Sequence, residues 1–250
     1  MIYGLYHSAA GLATNEYRQA VLANNIANAD TAGFKRDIAA FAERLTARTA
    51  GVRRGDGAPS LAGLSGGLWL GQTVTDFSDA PKTATGNWQD IALDGPGFLV
   101  VETNGRRLLT RDGRLLVDAN GRLTAASDGA PVLGAGGGPV QVNPRGGTPQ
   151  IDERGRIQQD GALVGELEIV DVKNYAGLRK VGAARFAAAD EELAPSFALV
   201  QGGYVEGSGV QPLTELVSMM EASHAYQMNA RMITLQDESL GRLISGVLRA

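Results

Sequence analysis

The sequence predicts an α+β fold: long N- and C-terminal helices forming a coiled-coil-like bundle, with a β-rich domain inserted between them. Three observations predict it. Both chain ends are nearly free of Pro and Gly and repeat side chains in 3,4 rows. Most of the 34 glycines fall between Gly51 and Gly209. Within that stretch Asn104-Gly105, Asp112-Gly113, Asn120-Gly121 and Asp128-Gly129 recur every eight residues. Asn-Gly and Asp-Gly are strong hairpin signals, because both central residues of a type I′ turn need positive φ.

The first helix is expected from about Ile2 to Ala29. Leu5, Leu12, Gln19 and Ile26 recur every seven residues, with Ser8, Asn15 and Leu22 as the companion row. Ala9, Ala10, Ala13, Ala20 and Ala27 keep the neighbouring faces narrow. The segment stops at Asp30-Thr31-Ala32-Gly33, a turn in which Gly33 supplies a conformation other residues resist. The second helix starts at Pro212, which suits a first helical turn, and runs to about Leu248. Leu216, Met219, Ser223, Tyr226, Ala230, Ile233, Asp237, Leu240 and Ile244 form one row, and Leu213, Val217, Met220, Leu243 and Val247 supply a second stripe. Neither helix buries a stripe alone, so the two are expected to meet, leaving one stripe for a neighbouring subunit.

Between them, the eight-residue spacing predicts a β-meander over Phe98–Glu102, Arg107–Arg111, Arg114–Asp118 and Arg122–Ala125. Leu163–Val172 reads as one long strand. Thr49–Gly67 and Leu133–Thr148 read as loops. The expected organisation is a discontinuous helical core (1–35 and 211–250), an extended linker (36–80), a β-rich outer domain (81–195) and a return connector (196–210). Trp69 and Trp88 flank the entrance to the β domain and are placed to seal it or to pack within it.

Composition narrows the function. The chain has 250 residues, 44% of them hydrophobic, enough for a sizeable core. A net charge of −4 does not point to nucleic acid. There is no cysteine, which removes thiolate metal sites, Cys nucleophiles and disulfides. No window is long and apolar enough for a membrane span, so no stable membrane insertion is expected, and no cleavable signal peptide is recognisable. The two histidines, His7 and His224, have no evident third ligand, and no nucleophile elbow or phosphate loop is present. Asp118-Ala119-Asn120-Gly121 lacks the later ligands of a calcium loop and reads as a turn. Asp190-Glu191-Glu192 reads as a solvated acidic run. The Met residues of the second helix read as packing. No catalytic, cofactor-binding or metal residue is assigned, no cofactor is expected, and the chain does not read as an enzyme.

Three stretches resemble the axial proteins of the bacterial flagellum, the rod and hook family. The first is Asn24-Asn25-Ile26-Ala27-Asn28-Ala29-Asp30-Thr31-Ala32-Gly33-Phe34-Lys35-Arg36. The second runs from Asp90 through Gly95-Pro96-Gly97-Phe98 to Leu109-Thr110-Arg111-Asp112-Gly113 and Asp118-Ala119-Asn120-Gly121-Arg122-Leu123. The third is Gly203-Tyr204-Val205-Glu206-Gly207-Ser208-Gly209-Val210 with Met219-Met220-Glu221-Ala222 and Ala225-Tyr226-Gln227-Met228-Asn229. One departure is Gly209, where the family commonly has Asn, so a side-chain cap is lost.

The resemblance implies a structural subunit of the basal-body rod, self-assembling into a torque-transmitting tube. The short length and modest linker look more like the proximal rod than the hook; the distal rod is the alternative, and a secreted binding module on a helical stalk is the other. The implied partners are other copies of the chain, other flagellar rod proteins and the flagellar type III export apparatus. The implied location is the rod across the periplasm, reached without a cleaved signal peptide. Leu5, Leu12, Leu22, Asn24, Asn25, Ile26, Asn28, Gly33, Phe34, Leu216, Met219, Tyr226, Ala230, Ile233, Leu240 and Ile244 are the expected helix-packing and subunit-interface residues. Asn24, Asn25 and Asn28 are expected to bond backbone near the helix end, in the same chain or across a subunit contact. Phe34 is expected as a core anchor, and Lys35 and Arg36 as a solvated pair, with a bridge between subunits as the alternative.

Overall fold

The computed structural model describes residues 2–43, 67–182, 184–188 and 192–247. The expected loop at Thr49–Gly67 lies outside them except for Gly67, as do Asp190 and Glu191 of the acidic run. The chain divides into two compact units. One holds Met1–Ile26, Asp37–Val74 and Pro212–Ala250; the other holds Ala27–Arg36 and Thr75–Gln211.

The first unit contains the two long helices, α1 (Ile2–Ala27) and α2 (Pro212–Val247). Pro212 opens α2, and Glu215 sits in its first turn, where a carboxylate meets the positive end of the helix dipole. Four contacts spaced along the helices set their register. A Cβ on Gly4 would lie 2.7 Å from Gln236 Nε2, and one on Gly11 2.8 Å from Asn229 Nδ2. Arg18 pairs with Glu221 at 4.0 Å, and Asn25 Nδ2 donates to Glu215 at 3.3 Å. Rising numbers on α1 meet falling numbers on α2, so the helices run antiparallel. The short strands Phe41–Glu43 and Leu68–Leu70 pair in the same unit, and the Tyr17 hydroxyl bonds Thr73.

The second unit is built on a six-stranded sheet in the order Arg179–Lys180, Arg185–Ala187, Arg106–Thr110, Phe98–Thr103, Ile169–Val172, Leu193–Pro195. Its centre is the apolar run Phe98-Leu99-Val100-Val101, buried on both faces. Strand periodicity sends alternate side chains to opposite sides. Leu99 and Val101 enter a core with Ile91, Leu115, Leu123, Val132 and Ile157. Phe98 and Val100 enter another with Leu109, Val172 and Phe186. Phe77, Phe98, Tyr175 and Phe186 form an aromatic cluster there, with centroids 5.1–6.0 Å apart.

Tyr175 in that cluster carries a pH prediction. Burial, then its hydrogen bond to Asp171 Oδ1 (2.6 Å), pushes its pKa from 10.0 up to about 12. A raised folded-state pKa contributes stability that is fully present below the unfolded value and is lost as pH rises through the folded one. The protein should therefore lose stability between pH 10 and 12, and Tyr175→Phe should flatten that part of the curve. Urea midpoints across the alkaline range test this; equal alkaline slopes for both proteins would refute it.

Several sequence expectations need correction. The eight-residue repeat does not make a meander. Asn104-Gly105 is a two-residue hairpin with φ of 53° and 71°, joining Thr103 to Arg106. Asp112-Gly113 is no hairpin tip: a Cβ on Gly113 would sit 1.7 Å from the Ile91 carbonyl oxygen, so glycine is there for close backbone approach. The sheet recruits strands from distant segments instead. Leu163–Val172 is two strands, Ala162–Glu166 and Ile169–Val172, belonging to different sheets. The segment 133–148 carries no helix or named strand, as expected of a loop, yet it contributes Leu133, Val140 and Val142 to the core. Residues 196–210 carry two paired strands, Leu199–Gly202 against Ile91–Asp94 and Tyr204–Glu206 against Lys82–Ala84. Trp88 packs on the β core, whereas Trp69 is exposed in the other unit. Asp118 is a turn residue: its carboxylate accepts from the Asn120 and Arg122 backbone N–H groups and the Arg122 guanidinium, each at 2.8 Å. Of the acidic run, Glu192 pairs with Lys173 at 2.6 Å.

Candidate functional site

Two arrangements carry the functional residues, one in each unit. In the helical unit, the seam between α1 and α2 is small and polar: Gly4, Gly11, Arg18 and Asn25 face Gln236, Asn229, Glu221 and Glu215. Asn25 is buried and holds the Asp37 backbone at both ends, donating to its carbonyl (2.8 Å) and accepting from its N–H (2.9 Å). The expectation of backbone bonding near the helix end is met within the chain at Asn25. Asn28 Oδ1 accepts from the Thr31 hydroxyl at 3.2 Å in the other unit's turn, and Asn24 is exposed.

The apolar rows divide by burial. Leu5, Leu12, Leu22 and Ile26 are half-buried, as are Met219, Ala230, Ile233 and Leu240. Leu216, Tyr226 and Ile244 of the same row are exposed. So are Leu213 at 76%, Val217, Met220, Met228 at 69%, Met232, Leu235 and Leu243. Large apolar side chains are thus exposed along the length of α2, more than scattered surface leucines explain. His7 is half-buried and His224 exposed, and no group of His, Cys, Asp and Glu suited to a metal occurs among the described residues.

In the β unit a charged knot is buried. Lys35, Arg111 and Glu206 have side chains 1%, 3% and 1% exposed. Lys35 Nζ donates to Glu206 Oε1 at 2.6 Å and to the Ser78 carbonyl at 2.7 Å. Arg111 donates to Glu206 Oε2 at 3.3 Å and to the Gly95 carbonyl at 2.7 Å, and its guanidinium lies 5.5 Å from the Phe98 ring centre. The Ala80 N–H completes the anion's shell at 3.3 Å. Two backbone bonds brace the knot: Gly33 N–H to Glu206 O (2.9 Å) and Gly209 N–H to Phe34 O (2.8 Å). Gly33 is fixed twice over, by a φ of 64° and by a Cβ position only 2.3 Å from the Arg111 carbonyl carbon. Phe34 is buried, and Lys180 Nζ sits 3.8 Å from its ring centre while bonding the Lys35 carbonyl.

Lys35 therefore corrects the solvated-pair expectation: it is among the most buried side chains of the unit, and only Arg36 of the two is partly exposed, paired with Asp76 at 2.9 Å. Sequence reasoning passed over Arg111, Glu206 and Glu215 altogether. Each of the three conspicuous motifs carries one of these charges, but nothing in one dimension pairs residues 35, 111 and 206. The missing Asn at Gly209 leaves α2 starting at Pro212, with Ser208 Oγ accepting from the Val210 N–H at 3.3 Å.

Three family models match the chain: "Flagella basal body rod protein" over residues 5–35, "Flagellar hook protein FlgE/F/G D1 domain" over 92–159, and "Flagellar basal body rod FlgEFG protein C-terminal" over 201–246. Each contributes one member of the knot. The chain is 30% identical to the flagellar basal-body rod protein FlgG of Buchnera aphidicola subsp. Schizaphis graminum, over 97% of this chain and 99% of that protein. It is 34% identical to the basal-body rod protein FlgF of Caulobacter vibrioides, over 85% and 84%. It is 28% identical to FlgG of Bacillus subtilis, over 98% and 99%.

Proposed function

The chain belongs to the flagellar basal-body rod protein family, and from that premise we propose that it self-assembles with other axial proteins into the torque-transmitting tube of the rod. Its family is a structural one. The observation that carries the assembly reading is the exposed apolar face of α2. Burial is worth about 25 cal/mol per Å² of apolar surface. A helix that turns small and polar residues toward its intramolecular partner and large apolar ones outward is built for a second layer of helices.

In this reading residues 1–35 and 211–250 form a helical core whose coiled-coil pairing is completed by neighbouring copies. The antiparallel contacts at Gly4, Gly11, Arg18 and Asn25 support that pairing, and the half-buried rows through Leu12 and Ile233 flank it. The remaining interface residues are Leu5, Leu22, Asn24, Ile26, Leu216, Met219, Tyr226, Ala230, Leu240 and Ile244. Gly33, Phe34 and Asn28 belong to the turn that closes the β unit. The subunit reaches the rod through the flagellar type III export apparatus and works where the rod crosses the periplasm. No helix among the described residues is long and apolar enough to cross a membrane.

Within the rod, short length and a modest linker support the proximal position. End-to-end similarity to FlgG relatives supports the distal one as a second reading. Quantitative mass spectrometry of purified hook–basal bodies separates them. Presence at a few copies, well below a distal-rod homologue, supports the proximal reading; presence as the abundant rod species supports the distal one; absence from the particle overturns both.

A further inference from the structure

We propose that Asn104 is a site of spontaneous covalent modification, closing to a cyclic imide and hydrolysing to aspartate and isoaspartate, while the chemically identical Asn120 is protected by the fold. The chain contains two Asn-Gly pairs, Asn104-Gly105 and Asn120-Gly121. In such a pair the backbone nitrogen of the glycine attacks the Asn side-chain Cγ. A new N–Cγ bond forms, the Cγ–Nδ2 bond breaks, and ammonia leaves with the proton of the glycine N–H. Water then opens the ring at either carbonyl, so the net change is Asn plus water to Asp or isoaspartate plus ammonia. Glycine favours the attack because it has no side chain to obstruct it.

The two pairs differ in freedom. Gly121 N–H donates to the Asp118 carbonyl at 3.0 Å, and Asn120 N–H to Asp118 Oδ1 at 2.8 Å. A Cβ on Gly121 would meet the Val142 carbonyl oxygen at 2.4 Å, so backbone hems that peptide in. The nucleophilic nitrogen is thus bonded away and its peptide cannot turn. Gly105 N–H has no hydrogen-bond partner among the described residues, and nothing lies within 4 Å of its Cβ position. Both residues of that turn are exposed. Asn104 holds a φ of 53°, the left-handed conformation that the first position of this two-residue turn requires.

The modification bears on the fold. Thr103 and Arg106 are paired directly across this two-residue turn, which joins two inner strands of the six-stranded sheet. Aspartate fits the same turn, but isoaspartate adds a methylene to its main chain and cannot keep that register.

The test uses the full-length wild-type protein, aged in mildly alkaline buffer with and without urea, then digested and read by peptide mass spectrometry at both sites. In the folded protein Asn104 should convert at least about tenfold faster than Asn120, the protection expected when reaction must await local opening. In urea the two rates should converge. Equal rates in the folded protein overturn the proposal, as does a difference that persists in urea, since that would come from local sequence and not from the fold.

Discussion

Glu206→Gln should lower the stability of the β unit by about 3–5 kcal/mol, the usual cost of breaking a buried ion pair by removing one partner. Glu206 is the only anion in contact range of Lys35 among the described residues and the closer of two for Arg111, since Asp79 lies 4.0 Å away and is largely exposed. Gln keeps the shape but removes the charge, leaving two cations buried at 1% and 3% exposure. Lys35 still has the Ser78 carbonyl and Arg111 the Gly95 carbonyl, but neutral acceptors do not replace a counter-ion. Lys35→Met should cost less, about 1–3 kcal/mol, because the Arg111–Glu206 bond survives and Met fills similar volume. Urea unfolding followed by Trp88 fluorescence in a Trp69→Phe background reads the β unit, because Trp88 packs on its core and Trp69 is exposed in the other unit. A loss under about 1 kcal/mol for Glu206→Gln, or an equal loss for both variants, would contradict the knot as the anchor of the unit.

Glu at two points of the exposed α2 face, Met220→Glu with Leu235→Glu, should abolish incorporation into the rod while leaving the monomer folded. Both side chains are about half exposed in the single chain, so the monomer loses little. In a packed helical layer each change removes about 1.5–3 kcal/mol of apolar burial and adds the desolvation of an unpaired carboxylate. Two such sites reduce association by at least about a hundredfold, since 1.4 kcal/mol is a factor of ten. Immunoblots of isolated hook–basal bodies, with swimming assays, measure the outcome. Normal incorporation of the double variant with unchanged circular dichroism would remove the apolar face as the assembly surface.

The two expectations rest on different kinds of residue, and the sequence was legible to different degrees for each. Local signals read well. Gly33 was recognisable as a turn glycine and Pro212 as a helix start. Nearest-neighbour chemistry dictates both, through backbone sterics at one residue. Spacing could not show the polar contacts between the helices: Gly4 and Gly11 face Gln236 and Asn229, where small size on one helix admits a long amide from the other.

What the sequence determined by itself is the family and the order of helix, β-rich middle and helix. Both follow from motifs and periodicities contained in short windows. What only the tertiary structure decided is the strand order and the identity of the buried charges. Leu163–Val172 breaks into two sheets because its halves find different distant partners, and Lys35 is buried because Glu206, 171 positions away, neutralises it. A lysine's burial depends on where its counter-ion folds, and that information is not present at the lysine.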